Sequence, residues 1–303
     1  MNSFGKVAVL YGGNSAEREV SIMSGNAVFA AFKRKNIDAH LVDVAENLYQ
    51  QLHEGQFDRA FVALHGPGGE DGKIQGFLET IGLPYTGSDV AASALAMDKE
   101  HSKWLWLGMG IPTLPFVLID KTSNPKEINQ TIPLPWAIKP VSQGSTFGVS
   151  KVTDIAQFQE ALTIALEFDA RVILEPWVEG KELTVGVLGD QALPVIYIEA
   201  PQGFYGYDAK YFSNETQYHC PSGLPTEIEN RAKEIGLAAY RSLGCRHWAR
   251  TDIMMDNQNQ LWVLEVNTIP GLTDHSLVPK AAKQIDINFD DLVVKILAMT
   301  LEG

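Results

Sequence analysis

The stretch RTDIMMDNQNQLWVLEVN (Arg250–Asn267) carries the clearest fold signal in the chain, because it has the pattern of a β-hairpin. Two runs of alternating polar and apolar residues flank a polar loop, which we place at Asn257–Gln260. Successive side chains of a strand point to opposite faces of the sheet, so the hairpin has one polar and one apolar face. The apolar face should pack on a core and consists of Ile253, Met255, Leu264 and Val266.

The polar face of this hairpin predicts a metal site. A loop at Asn257–Gln260 places Asp252 opposite Glu265 and Arg250 opposite Asn267. Like charges on directly opposite residues destabilise a strand pair, whereas two carboxylates beside an amide oxygen are ligands that suit Mg2+. The alternative is a solvated sheet edge without a ligand. The apolar reverse face favours the metal site, because a hairpin that packs on a core holds its polar face in a fixed direction.

Length, composition and charge limit the class of protein. The 303 residues suffice for two or three domains, and 45% hydrophobic with 20% charged residues is an ordinary globular balance. The formal net charge of −13, without a lysine or arginine run, argues against a nucleic-acid partner. Cys220 and Cys245 fit neither a disulfide framework nor a metal site and are expected to be reduced thiols. No apolar run has the length of a signal peptide or membrane span, so we expect a cytoplasmic protein without membrane contact.

The N-terminal part of the chain alternates strand and helix patterns. The expected elements are strands Lys6–Tyr11, Ala39–Val44 and Arg59–Leu64, a helix from about Ser21, and a helix Lys73–Ile81. This alternation is typical of a parallel, doubly wound sheet. Ligand loops leave the carboxyl ends of the strands in such folds, and here these ends carry the glycine-containing segments 12–17 and 65–72.

The pattern changes after a boundary near Asp98, where few helices separate the strands, as is typical of an antiparallel sheet. The expected strands are Trp136–Lys139, Val149–Val152, Val172–Pro176, Glu182–Leu188 and Leu193–Ile198. The expected helices are Asp154–Phe168, Thr226–Leu243 with Thr226 as N-cap, and a last helix capped by Asp290. The chain therefore combines an α/β, Rossmann-like N-terminal domain with an α+β body.

The phosphate-binding segment is less specific than the hairpin. A Walker A loop is absent, because Pro67 and Ile74 stand where its first glycine and its serine or threonine should be. Lys139–Gly148 places a lysine before a loop whose N–H groups could bind phosphate oxygens, although such loops are often only structural. Leu174–Glu182 could pair with an adenine edge, with Glu182 on the ribose hydroxyls, or could be an ordinary strand.

Several single residues have two interpretations. His65 could hydrogen-bond a substrate or only order its glycine loop. Glu70 and Asp71 fit charges at a helix N-terminus better than metal ligands. The aromatic residues expected in the core rather than at a cofactor are Trp104, Trp106, Phe116 and Trp136.

These segments, together with Lys99, resemble the ATP-grasp fold. More specifically, HGPGGEDGKIQG (His65–Gly76) and EVNTIPG (Glu265–Gly271) resemble the two signature segments of the D-alanine–D-alanine ligases. The resemblance extends from about Lys6 to Pro279 and includes the segments 17–21, 205–211 and 275–279. One departure is the segment ARTD at residues 249–252, where Gly-Arg-Ile-Asp or a similar segment is expected, but the proposed metal ligand is unchanged.

The resemblance implies the organisation of the chain. A Rossmann-like domain would span residues 1–96, followed by a two-part ATP-grasp body. Its central subdomain would span residues 97–180, and its C-terminal subdomain, with the metal and substrate site, residues 181–303. A homodimer built through the N-terminal domain is also implied.

The resemblance also implies a role for each site residue. The expected ATP-binding residues are Lys99, Lys139 and Lys210 at the phosphates, with Glu175, Trp177, Val178 and Glu182 around adenine and ribose. The expected ligands of two Mg2+ ions, which Mn2+ could replace, are Asp252, Glu265 and Asn267. The expected substrate-binding residues are Glu17 at the first ammonium group, His65, and Ser276 with Leu277 at the second carboxylate. The expected catalytic residues are Glu17, Ser145 and Tyr211, which hydrogen bonds would link, and Arg250 with the Gly271 N–H at the oxyanion.

The implied reaction is the ATP-dependent joining of two D-alanines for peptidoglycan precursor synthesis. The first carboxylate would attack the γ-phosphate to give an acylphosphate and ADP, and the second amine would then attack the acylphosphate. Tyr211 favours D-alanine over D-lactate as the second substrate. Two alternatives stay open. One is another ATP-grasp ligase, such as a depsipeptide-forming or carboxylase-like relative, and the other is a nucleotide-binding regulatory module. Glu17, Arg250, Tyr211 and Ser276 argue against the module, because ATP binding alone does not need them.

Overall fold

The structure is a computed structural model that describes residues 4–144, 146–200 and 216–301. In this part of the chain three β-sheets follow one another, and helices pack against each of them. The mixture of a parallel sheet with antiparallel sheets agrees with the predicted combination of an α/β domain and an α+β body.

The first sheet is built from the N-terminal segments. Its strands are β1 (Val7–Tyr11), β2 (Ala39–Asp43) and β3 (Arg59–Val62), and its helices are α1 (Arg18–Arg34), α2 (Leu48–Gly55) and α3 (Lys73–Thr80). The strands are parallel in the order β2-β1-β3, as the alternating pattern predicts, whereas the short helix α2 was not predicted. The four residues from Val7 to Leu10 are fully buried, which explains the continuous apolar run of β1.

The second sheet is antiparallel and begins after two helices. The elements are α4 (Val90–Met97), α5 (Lys99–Gly108), β4 (Val117–Ile119), α6 (Pro125–Thr131), β5 (Trp136–Pro140), β6 (Ser150–Val152), α7 (Phe158–Leu166) and β7 (Val172–Pro176). The strand order is β4-β7-β5-β6, and α7 packs against β5 and β6. The predicted helix at 154–168 is α7 preceded by a 3-10 turn, which Asp154 caps by accepting the Ala156 N–H at 2.8 Å.

The third sheet contains the hairpin and is also antiparallel. The elements are β8 (Gly180–Leu188), β9 (Gln191–Ala192), β10 (Ile196–Glu199), β11 (Gln217–His219), α8 (Thr226–Ser242), β12 (Trp248–Asp256), β13 (Leu261–Asn267), α9 (Leu277–Lys283) and α10 (Phe289–Ala298). The main strand order is β11-β10-β8-β12-β13, with β9 paired to β8. Helix α8 lies close to the sheet because Gly236 faces Val185, where a Cβ atom would come within 3.0 Å of the valine side chain.

The hairpin formed by β12 and β13 has the predicted register at its polar end. Asp252 pairs with Glu265, and Arg250 pairs with Asn267. The loop between the strands is 257–260, as predicted, but Met255, and not Asp256, pairs with Leu261.

A β-bulge on β13 compensates for the shifted pairing beside the loop. Asp252 pairs with Glu265, but the next residue, Ile253, pairs with Val263. Leu264 is therefore the extra residue of the bulge. The prediction that Leu264 packs in the core is wrong, because it lines a cavity beside Glu265.

Two predicted helix caps are also wrong. Helix α8 begins at Thr226 itself, directly after Pro225, and no side chain caps it. Asn288, not Asp290, caps α10 by accepting the Asp291 N–H at 2.9 Å. Several polar residues stand near each helix start, and the backbone angles before the first turn decide which one can cap it.

The prediction for the tryptophans holds in part. Trp106 and Trp136 are fully buried, as expected. Trp104 is 59% exposed and contacts Phe116 edge-on, with 5.0 Å between ring centroids. Trp104 and Trp106 are two positions apart on α5, so a helix cannot bury both against the same neighbour.

The end of the chain packs on its beginning. The apolar residues of α10 share a buried core with β1 and α1. Arg34, the last residue of α1, and Lys35, which follows it, pair with Asp290 and Asp291 at 2.6 Å each. The predicted domain limits at residues 96 and 180 stay predictions. Within the residues described, none of the helices is long and apolar enough to cross a membrane.

Candidate active site

A cavity of about 590 Å³ lies between the second and third sheets. Its walls come from β5 and β7 on one side and from β8, β12 and β13 on the other. The predicted site residues that line it are Lys99, Lys139, Glu175, Trp177, Val178, Glu182, Asp252 and Glu265. The fold thus brings residues from four separate segments of the chain to one cavity.

The polar face of the hairpin is held by ion pairs. Arg250 donates from Nε to Asp252 Oδ1 at 2.8 Å and from Nη2 to Oδ2 at 2.6 Å, a bidentate geometry. The Thr184 hydroxyl of β8 donates to Asp252 Oδ1 at 2.7 Å. Asp252 is buried, so these contacts fix the direction of its carboxylate. Thr184 was not predicted, because the pairing of β8 with β12 joins distant parts of the chain.

The donor set of the hairpin fits a hard divalent cation. Asp252 and Glu265 are directly paired across the strands and both line the cavity. Asn267 lies two positions after Glu265 on β13. Its Oδ1 accepts the Ile269 N–H at 3.1 Å, which orients the side-chain amide. The Asp252 carboxylate accepts three hydrogen bonds for about four lone-pair positions, and oxygen-only ligands suit Mg2+. The described geometry is therefore compatible with the predicted metal ligands.

Lys99 links the hairpin to the loop after β5. Its Nζ lies 3.0 Å from Glu265 Oε2 and donates to the Gln143 carbonyl at 2.6 Å. Lys99 is the first residue of α5, which Asp98 caps by accepting the His101 N–H at 3.0 Å. The cap thus fixes where the helix begins and places this ammonium group at the cavity.

Lys139 shares a buried carboxylate with a lysine that sequence reasoning missed. Lys139 forms a short ion pair with Glu175 Oε1, and Lys103 Nζ lies 2.9 Å from Glu175 Oε2. Burial raises the pKa of Glu175, but the two ammonium groups outweigh it and lower that pKa to about 2. The available signal was spacing, because Lys103 follows Lys99 by four positions on a helix and therefore shares its face.

Glu17 lies at the junction between the first sheet and the cavity region. It directly precedes α1 and is buried. A Cβ atom on Gly66 would lie 2.6 Å from Glu17 Oε2, and one on Gly144 would lie 3.6 Å from it. Gly66 also has a φ of 71°, so only glycine fits there easily. The carboxylate therefore lies between the loop after β3 and the loop after β5.

His65 is part of a buried hydrogen-bonded chain. Its Nε2 lies 2.9 Å from Ser24 Oγ, and this hydroxyl also accepts the Leu272 N–H at 3.2 Å. The chain joins α1 and the loop after β3 to the segment that follows β13. Sequence reasoning missed Ser24, although it lies seven residues after Glu17, about two helical turns along α1.

The helix-terminus interpretation of Glu70 is wrong. Glu70 is buried, and its Oε1 lies 3.7 Å from His65 Nδ1. Burial raises the pKa of Glu70, His65 opposes this shift and the Glu17 charge adds to it. Asp71 does lie at the start of α3, where it pairs with Lys73 at 2.7 Å.

The remaining predicted substrate residues follow the hairpin. Ser276 directly precedes α9, and its Oγ accepts the Thr273 N–H at 2.9 Å. A Cβ atom on Gly271 would lie 3.4 Å from this oxygen, so Ser276 and Gly271 are neighbours. The Leu277 side chain is buried in the core shared with the first sheet, which leaves its backbone as the group that could contact a ligand. Ser145, Lys210 and Tyr211, and the segment 205–211, lie outside the described residues.

Comparison with known proteins gives the family. The model "D-ala D-ala ligase C-terminus" matches residues 105–298, and "D-ala D-ala ligase N-terminus" matches residues 6–55 and 44–88. The chain belongs to the D-alanine–D-alanine ligase family. The D-alanine–D-alanine ligase of Nitrosococcus oceani is 48% identical over 302 residues, covering 100% of this chain and 96% of the relative.

Solved structures of this family have the same fold. A crystal structure of the D-alanine–D-alanine ligase from Bacillus anthracis has a TM-score of 0.88 at 34% identity, with 98% of each chain covered. A second structure of that enzyme, complexed with ATP, has a TM-score of 0.85 at 33% identity, again with 98% of each chain covered. The VanG D-Ala:D-Ser ligase from Enterococcus faecalis has a TM-score of 0.85 at 30% identity, covering 98% of this chain and 99% of that one.

These comparisons confirm three predictions from the sequence. The family, the ATP-grasp fold class and the assignment of the chain as an ATP-dependent ligase of the D-alanine–D-alanine ligase family all agree with them. The roles of individual residues stay predictions, although the geometry brings most of them to one region.

Proposed function

We propose that the protein joins two D-alanine molecules to D-alanyl-D-alanine in an ATP-dependent reaction that releases ADP and phosphate. The product would be a precursor for peptidoglycan synthesis. The observation that carries this proposal is one cavity that combines two lysines with facing carboxylates, one of them paired with Arg250, in a chain of the D-alanine–D-alanine ligase family.

The nucleotide would occupy the cavity between the second and third sheets. Trp177, Val178 and the connection to β8 would contact adenine, and Glu182 the ribose, because they line the same wall. Lys99 and Lys139 would hold the phosphates, because their ammonium groups reach the cavity from α5 and β5. Glu175 would act through Lys139, with which it is paired.

Asp252, Glu265 and Asn267 would hold two Mg2+ ions, with Mn2+ as a substitute. Bound there, the ions would neutralise charge on the transferring phosphoryl group, the usual contribution of metals to this chemistry. The carboxylates already face the cavity, and Arg250 and Thr184 keep Asp252 in that direction. Little reorganisation of these side chains would then be needed before phosphoryl transfer.

The substrates would bind beside the cavity. Glu17 would hold the ammonium group of the first D-alanine and His65 would lie near it, while Ser276 and the Leu277 backbone would bind the carboxylate of the second. The first carboxylate would attack the γ-phosphate, and the second amine would attack the resulting acylphosphate. Arg250 and the Gly271 N–H would stabilise the oxyanion, at about 3–4 kcal/mol for a well-placed donor. Ser145, Lys210 and Tyr211 keep their predicted roles.

Phosphate release with MgATP tests this function. We expect release with D-alanine, and D-alanyl-D-alanine by mass spectrometry, but none with L-alanine. D-Serine and D-lactate belong in the same experiment, since VanG is a D-Ala:D-Ser ligase. If the main product combines D-alanine with D-serine or with D-lactate, that second compound, and not D-alanine, is the second substrate. Tight ATP binding without phosphate release in any mixture would instead support a regulatory module.

We also propose a cytoplasmic homodimer, without nucleic-acid or membrane partners. The location follows from the need for ATP, and the dimer through the N-terminal domain from the family resemblance. Light scattering at working concentration tests the dimer, and the mass of a single chain would contradict it.

A further inference from the structure

Lys103 is a buried cation beside the proposed nucleotide cavity. Its side chain is completely inaccessible, although a lysine is almost never buried without partners. It lies on α5 one turn after Lys99. Lys99 reaches the cavity directly, whereas Lys103 lies behind the cavity wall that Glu175 forms.

The contacts of Lys103 indicate its protonation state. Its Nζ donates to Thr113 Oγ1 at 2.9 Å and to the Leu114 carbonyl at 3.2 Å. The Thr113 hydroxyl donates its own hydrogen to the Val263 carbonyl at 2.9 Å, so it can only accept from Lys103. The third contact is an ion pair with Glu175, whose Oε2 lies 2.9 Å from Nζ without hydrogen-bond geometry. Burial lowers the pKa of Lys103, but Glu175 is ionised beside it, and this negative charge favours the ammonium form.

This protonated group changes the charge balance around Lys139. Glu175 contacts two ammonium groups, those of Lys103 and Lys139. A single carboxylate neutralises one of them, so the three groups together keep one positive charge. Because Lys103 is sealed behind the wall, Lys139 is the group that presents this charge to the cavity.

We infer that Lys103 is a positioning residue of the nucleotide site, which neutralises Glu175 so that the Lys139 ammonium keeps its charge for the phosphates of ATP. The inference rests on the proposed function, since it needs a nucleotide in this cavity. Without Lys103, the Glu175 carboxylate would cancel Lys139 and compete with phosphate for it. The contact of Lys103 with Thr113, and of Thr113 with Val263, also fixes the carboxylate relative to the hairpin.

Nucleotide binding to Lys103→Met tests the inference. Calorimetric titrations with MgATP and with adenosine separate the phosphate contacts from the base and ribose contacts. We expect MgATP to bind on the order of tenfold to a hundredfold more weakly, as for the loss of a buried charge partner, and adenosine to bind as in the wild type. Lys233→Met is the control, because Lys233 pairs with Glu229 at 2.9 Å on α8, away from the cavity.

The double variant Lys103→Met/Glu175→Gln removes both charges and should bind MgATP more tightly than Lys103→Met, because no carboxylate then competes with phosphate for Lys139. It also covers the case in which the single variant does not fold, because removing both members of a buried pair costs less than removing one. Parallel losses for MgATP and adenosine, unchanged MgATP affinity in the single variant, or a double variant that binds MgATP no more tightly than Lys103→Met would overturn the inference. A wild-type protein that binds no MgATP would defeat the proposed function itself.

Discussion

At the scale of single residues, the Asp252 carboxylate accepts hydrogen bonds from two side chains and is also a proposed metal ligand. Its two oxygens accept hydrogen bonds from Arg250, and Oδ1 also accepts one from Thr184. A carboxylate has about four lone-pair positions, so these donors leave room for a cation. Arg250 and Thr184 thereby set the direction of a proposed metal ligand. Mutation of residues that orient a metal ligand commonly lowers metal affinity or activity by roughly tenfold to a hundredfold.

We expect Asp252→Asn and Glu265→Gln each to lower kcat/KM at limiting Mg2+ by at least about a hundredfold, because each removes a charged ligand. Steady-state assays over a range of Mg2+ concentrations would measure the loss, and higher Mg2+ should recover part of it. Asp190→Asn is a suitable control, since Asp190 is 86% exposed and 3.6 Å from Arg241. Near-normal turnover of either variant at low Mg2+ would remove that residue from the metal site.

Ser24 provides a second test at this scale. Ser24→Ala removes the acceptor of the Leu272 N–H and the partner of His65. We expect a loss of about 1–3 kcal/mol in the free energy of unfolding, the cost of leaving buried polar groups without partners. We also expect a lower kcat, because Leu272 directly follows the proposed oxyanion donor Gly271.

Urea unfolding and steady-state kinetics would separate these two effects. Ser93→Ala is the matched control, because Ser93 is equally buried on a helix but makes only a 3.3 Å bond to the Ser88 carbonyl. A Ser24→Ala enzyme with wild-type kcat would show that the hydrogen-bonded chain is only structural.

At the scale of secondary-structure elements, the bulge at Leu264 decides which side chains of β13 face the cavity. Beside the loop the pairing is shifted by one position, and the bulge shifts it back before Glu265. A shift of one residue turns every following side chain to the opposite face of a strand. The direction of the Glu265 and Asn267 side chains therefore depends on Leu264, which has no role in binding metal.

One insertion and one deletion test this dependence. Inserting one alanine directly after Leu264 should abolish ligation, since Glu265 would move past Asp252 and turn away from it, whereas deleting Asn259 from the loop should leave the register beyond the bulge unchanged. Asn259 has a φ of 61°, an unfavourable angle for most residues, so its removal need not strain the loop. Phosphate release and circular dichroism would report activity and folding. An active insertion variant would mean that ligation does not depend on the register at Glu265.

At the scale of the whole molecule, the last helix joins the two ends of the chain. Leu292, Val293, Ile296 and Leu297 are fully buried in the core that contains β1. The two ion pairs between α1 and α10 are exposed, and exposed pairs contribute about 0–1 kcal/mol. Burial of apolar side chains therefore holds α10 in place, and the ion pairs contribute little.

We accordingly expect Leu292→Ala to lower the free energy of unfolding by about 2–5 kcal/mol, the range for a leucine removed from a core. Arg34→Ala, which removes only an ion pair, should cost about 1 kcal/mol or less. Urea denaturation of both variants would measure the difference. Equal costs would show that the surface pairs hold the helix.

Sequence patterns predicted the elements whose signals are local. Most strands and the long helices α1 and α8 follow from apolar periodicity, whereas the short strands β4, β9 and β11 were not predicted. The polar face of the hairpin follows from the period of two along a strand. The family resemblance added residue roles that no local pattern contains. The caps of α8 and α10 and the exposure of Trp104 were missed, because each depends on a backbone turn or on a neighbour distant in sequence.

The sequence by itself determined that Asp252 faces Glu265, since the two residues are separated by one short loop and pair within a single hairpin. It also determined the parallel first sheet, because continuous apolar strands alternate with helices there. Only the tertiary structure decided that Lys103 balances Glu175, that Ser24 receives the Leu272 N–H, and that α10 packs on α1. These contacts join residues 72, 248 and about 256 positions apart, and packing of distant segments around shared cores, not any periodicity along the chain, brings them together.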